Sequence, residues 1–204
     1  MKIKNLVTAA MLAASGASFG AVGIFDSFVF TTSTGNAPLN FFDIGASTPN
    51  PDFQGANLGT FTVGNTFFIG GQQKSFKNNG SDVTGHSISW RVYSGSPSGT
   101  FVGVNMPFQN NIGGGGDQQW GGDTSGSNAD PVERSTNVLA GLPNGNYSLQ
   151  VFSAITTNSV DAPATFSNNA GGANFTASFV VIPEPATATL GLLGAVMLLR
   201  RRRI

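Results

Sequence analysis

Cysteine is absent from this chain, and histidine occurs once, at His86. The first absence excludes disulfide frameworks, thiol nucleophiles, thiolate metal sites and acylation on cysteine. The second excludes a histidine-rich zinc or copper centre. Any Ser-His-Asp triad would have to be built on His86. The two glycine-flanked serine stretches do not supply its nucleophile elbow. Gly95-Ser96-Pro97-Ser98-Gly99 has proline at the centre, and Gly122-Asp123-Thr124-Ser125-Gly126 has threonine there. The Gly-x-Ser-x-Gly turn needs serine at that position. Both read as hairpin or surface loops, and His86 reads as an exposed or packed strand residue.

Charge is also scarce, at 10% of residues, and the chain is formally neutral. Long apolar runs are confined to the two ends, at 6–14 and 186–199. No segment between them sustains a 3.6-residue period, so no amphipathic helix is expected in the body.

At the start, Lys2 and Lys4 precede the apolar run 6–14, and small residues around Ser18-Phe19-Gly20 follow. A basic n-region, a short h-region and a small-residue cleavage site make a secretory signal peptide. Residues 1–21 are expected to pass the Sec translocon as a signal helix and to be cut by signal peptidase after Ala17, Gly20 or Ala21.

At the other end, Pro183-Glu184-Pro185 is followed by 14 uncharged residues and then by Arg200, Arg201, Arg202 and Arg203. A helix of that length reaches roughly 21 Å, against a hydrocarbon core about 30 Å thick. The two prolines and Glu184 prevent upstream extension. Such a short span suits temporary residence in a membrane better than a permanent anchor. The arginines act as a cytoplasmic stop-transfer cluster by the positive-inside rule, leaving the Pro-Glu-Pro tripeptide at the outer face. The order of tripeptide, apolar helix and basic cluster resembles the PEP-CTERM sorting signal of exopolysaccharide-producing Gram-negative bacteria. The resemblance covers only 181–204. It implies processing by an exosortase, a membrane-embedded cysteine transpeptidase that reads Pro183, Glu184 and Pro185. It implies delivery to the outer surface or extracellular matrix, and says nothing of what the body does there.

Between the signals, residues 24–182 form a body of one domain, with 183–204 as the sorting segment. Four cations against nine anions leave the body at −5. That balance offers no electrostatic reason to bind nucleic acid or anionic lipid. The body reads as all-β, a single antiparallel β-sandwich of immunoglobulin/fibronectin or jelly-roll type. Gly, Asn, Ser and Thr recur every eight to twelve residues, with Phe, Val and Ile between them. Ile88, Trp90 and Val92 alternate with Ser87, Ser89 and Arg91; Tyr147, Leu149 and Val151 alternate with Ser148, Gln150 and Phe152. Phe175, Ala177, Phe179 and Val181 alternate with Thr176, Ser178 and Val180. Period two marks strands with two different faces. Further strands are expected near 25–31, 59–63, 67–71, 100–104 and 137–139. Leu142-Pro143-Asn144-Gly145-Asn146-Tyr147 is similar to the tyrosine corner of fibronectin type III-like sandwiches. That likeness implies a bond from the Tyr147 hydroxyl to the backbone just upstream.

Trp90 alternates with core residues and is expected inside. Trp120 stands among glycines, in what reads as a loop. It has two readings, core packing or flat contact with a sugar ring. Asp117, Asp123 and Asp130 in the same region offer the hard oxygen ligands that Ca²⁺ takes, although the Asp-x-Asp-x-Asp-Gly spacing is absent. A solvated loop is the alternative. With Glu133, these acids are also the candidates for a glycosidase carboxylate pair. Glu133 beside Arg134 is explained more simply by a local charge pair.

The leading expectation is a non-enzymatic, cofactor-free surface or matrix protein linked to exopolysaccharide and biofilm. A carbohydrate-binding module is the alternative, and a glycoside hydrolase comes last.

Overall fold

A computed structural model describes residues 22–34, 38–45, 48–77, 82–113, 116–122, 133–158 and 165–184. The expected signal helix, the apolar C-terminal run, Pro185 and the four terminal arginines lie outside the described residues. Among the described residues, no helix is long and apolar enough to cross a membrane. One short 3₁₀ turn (Ala170–Gly172) accompanies the strands.

The strands form two sheets. The first contains β1 (Val22–Thr32), β2 (Asn40–Asp43), β4 (Phe68–Lys77), β7 (Phe108–Ile112) and β8 (Asp117–Gly121), in the order β2-β1-β4-β8-β7. The second contains β3 (Asn57–Thr62), β5 (Val83–Tyr93), β6 (Val102–Met106), β9 (Gly145–Thr157), β10 (Thr165–Asn168) and β11 (Phe175–Ile182). Its order is β3-β11-β9-β5-β6. β10 extends the β9 edge beyond β11, pairing with Ser153–Thr156.

Alternation dictates which side chains meet. Ile88 and Trp90 of β5, Leu149 and Val151 of β9, and Ala177, Phe179 and Val181 of β11 are all buried in one cluster. Val29 of β1 and Ile69 of β4 join it from the facing sheet. Burial of such side chains stabilises by roughly 1.5–3 kcal/mol each. Trp90 is inside as expected, though its Nε1 has no partner among the described residues. Close approach is made possible by Gly121, which has φ +68. A Cβ there would meet the Gly71 carbonyl and Met106.

Three expectations are corrected. The sheets are not wholly antiparallel, since β3 and β11 pair in parallel. Both run toward the end where the tail leaves, and β3 then crosses into the first sheet as β4. Period-two patterning is the same for either direction, so sequence is silent on it. Residues 137–139 form a turn rather than a strand. Asn137 serves as a connector there, its Oδ1 accepting from the Phe67 and Leu139 amides. Residues 117–121, read as loop, are strand β8. β2, β7 and β10 are short strands that the pattern did not reveal.

The corner is present. Tyr147 Oη donates to the Pro143 carbonyl at 2.9 Å, and its ring stacks on Phe179 at 5.4 Å. Tyr147→Phe keeps the stack and removes the bond. A loss of about 0.5–1.5 kcal/mol is expected, read as a lower denaturant midpoint with unchanged slope. Equal midpoints would show that the bond contributes nothing.

Candidate functional site

The chain's single histidine lies at the centre of a buried polar network joining the two sheets. Gln73 and Ser75 lie two apart on β4, so both face the interior. His86 of β5 and Ser153 of β9 face them from the other sheet, and Ser27 is the β1 neighbour. All five are buried, with Gln73 and Ser75 at 0% exposure. Gln73 Nε2 donates to Ser27 Oγ and Ser153 Oγ, both at 2.8 Å. With both donors used, its Oε1 must accept, and His86 Nδ1 stands 2.6 Å away. The bonding therefore assigns the Nδ1–H tautomer. His86 Nε2 is left to accept from Ser75 Oγ at 3.2 Å.

Hydroxyl, imidazole and carbonyl thus follow one another in the bonding order of a nucleophile, base and orienting group. Two properties separate this relay from a working triad. Ser75 has no surface from which to attack. Burial also pulls the His86 pKa down to about 3, too weak a base near neutral pH. The orienting group is a neutral amide, with no charge to stabilise an imidazolium.

Trp120 completes the arrangement, and its position corrects the loop reading. It sits on β8 opposite Gln73 of β4. It is half-buried, stacked on His86 with centroids 4.7 Å apart and planes 21° apart. Phe108 of β7 meets it edge-on at 5.3 Å, and its Nε1 donates to Gln118 Oε1 at 3.3 Å. The parity signal for His86 was present in the sequence, since it shares the face of Ile88 and Trp90. Gln73 and Ser75 carried none, because a polar pair on a strand reads as a solvent face.

Asp117 opens β8, half-buried, while Asp123 and Asp130 lie outside the described residues. Among the described residues, no group of three His, Cys, Asp or Glu could hold a metal ion. The Arg134 guanidinium lies over the Phe68 ring at 5.1 Å. A buried acid the sequence did not single out is Asp43. Its carboxylate accepts from the Thr48 amide at 3.2 Å and hydroxyl at 2.9 Å, pinning the loop after β2.

The Pro183-Glu184-Pro185 tripeptide begins directly after β11. β11 ends at Ile182, and Ile182, Pro183 and Glu184 are exposed. The Ile182 carbonyl accepts from the Val63 amide at 2.9 Å, so β3 holds the chain up to the last residue before Pro183. No protein-family model and no curated protein matches the chain.

The His86 environment predicts a pH dependence. The unfolded chain binds a proton near pH 6.5, and the folded one only near pH 3. Stability is therefore complete above pH 6.5 and declines as pH falls, by at most about 1.4 kcal/mol per unit. Denaturant midpoints between pH 6.5 and about 5 should slope in the wild type and flatten in His86→Gln. A flat wild-type profile would refute a neutral, desolvated His86.

Proposed function

We propose that this chain is an exported, non-enzymatic protein of the cell surface or extracellular matrix, sorted by an exosortase acting at Pro183-Glu184-Pro185. Its body is a sandwich of fibronectin type III-like character, a reading supported by the Tyr147 corner and by two sheets on one core. The observation that carries the sorting reading is the exit of the chain. Strand β11 ends at an exposed Ile182, and in the sequence the tripeptide, apolar run and arginines follow with no intervening stalk. A membrane enzyme that reads this site must approach the body closely, because no long linker lifts it away.

The end from which the tail leaves suits that approach. Strand registers bring 33–34, 62–67, 94–100 and 136–144 to it, and none of these residues is charged. Val63 and Ile182 are exposed there, at 39% and 42%. The ion pairs Lys74–Asp26 and Lys77–Asp82 lie toward the opposite end. The charges near this end stand at its rim, Glu184 beside Gly64, Arg91 on the Gly99 carbonyl and Arg134 over the Phe68 ring, so the loops themselves cost little desolvation when they near a bilayer.

In this reading the N-terminal segment is removed after Sec export, and β1 begins at Val22 just past the expected cleavage site. The apolar tail resides in the inner membrane until the exosortase acts. Glu184 is the one charged group at the recognition site, available for charge-assisted hydrogen bonds. Intact mass of protein recovered outside the inner membrane should lack the arginine cluster. Glu184→Ala should leave the precursor in the inner-membrane fraction. Recovery of a chain still ending in Arg203-Ile204, or normal processing of the variant, would overturn the reading.

A further inference from the structure

The first strand contains an interruption that the packing does not require. β1 pairs with β4 residue for residue, except between Ile24 and Asp26, where Phe25 is extra. A bulge of this kind re-aims a side chain, and Phe25 is left 42% exposed. It does not join either core cluster. Phe25 forms one wall of a groove of about 300 Å³, which also includes Ile24, Gly45, Phe166, Ser167 and Asn168.

The other walls are built to stay open. Gly45 has φ +92, and a Cβ there would collide with the Asn168 amide. Asn168 Nδ2 donates to the Ile44 carbonyl. That bond fixes the amide orientation and leaves Oδ1 as an acceptor at the groove. Among the described residues no titratable group lines the groove, and Asp26, next to Phe25 in the chain, is paired with Lys74 at 3.0 Å.

We infer that this groove binds a neutral saccharide unit. Its volume lies at the small end of ligand sites. An exposed aromatic ring offers the apolar contact that the C–H face of a pyranose needs, and the Asn168 amide oxygen offers a bond to its hydroxyl groups. The lining selects against other classes. Among the described lining residues there is neither cation nor anion, so a phosphate or carboxylate, or a metal ion or amine, would lose its hydration there without a charged partner. The assignment is independent of tail processing. It also moves glycan contact away from Trp120, whose ring is engaged by His86 and Phe108.

The test is affinity electrophoresis of the full chain in nonionic detergent, through gels containing dextran, galactomannan, xyloglucan or laminarin, with alginate as the polyanion. Retardation by at least one neutral polymer is expected, with none by alginate. Phe25→Ala should weaken it roughly tenfold, the scale of one buried aromatic contact. Val102→Ala, which removes exposed apolar surface elsewhere, should leave it unchanged. If Phe25→Ala fails to melt cooperatively, Phe25→Leu keeps the bulk and removes the ring, and the same weakening is expected. No retardation by any neutral polymer, equal retardation in the Phe25 variants, or retardation by alginate alone would each overturn the assignment.

Discussion

The Gln73 amide is the contact on which the two-sheet arrangement depends. It is fully buried, and its bonds reach Ser27, Ser153 and His86 on three different strands. An amide in the interior has two donors and an acceptor to satisfy, and each left unmade costs about 1–3 kcal/mol. A one-residue slip of β4 would turn Gln73 to the opposite face and strand all three partners. Hydrophobic burial is non-directional and tolerates sliding. The network is directional, so it selects one register and one facing of the sheets.

Around that hub the interior is graded. Toward the end where the tail leaves, Phe61, Phe67, Phe179 and Tyr147 form a continuous aromatic layer, with centroid separations of 4.6–6.2 Å. Toward the other end, serines, Gln73 and His86 replace them, closed off by the Trp120 ring. The gradient has a consequence for stability. The polar end carries a histidine that must stay neutral to remain buried.

The same axis organises the functional readings. The end with Val63 and Ile182 adjoins the tripeptide proposed to direct sorting. The bulge at Phe25 lies near the start of β1, at the opposite end of the strands. A body held at a membrane or matrix through its tail would therefore present the Phe25 groove outward. The two proposals rest on different residues and different physics, desolvation at one end and aromatic contact at the other.

What the sequence determined by itself was whatever depends on local chemistry. Alternation at 87–92 and 147–152 marked β5 and β9, because a half-buried strand must repeat with period two. Leu142 to Tyr147 marked the corner, because Pro, Asn and Gly set the turn that brings the Tyr147 hydroxyl to Pro143. Tertiary structure alone decided the direction of β3 against β11, the burial of Gln73 and Ser75, and the placement of Trp120. Glycines around Trp120 suggested a loop, yet the β4 edge recruited 117–121 as a strand and His86 supplied a stacking partner from the other sheet. The groove at Phe25 was equally invisible, since a bulge is a mismatch between two strands and exists only once they pair.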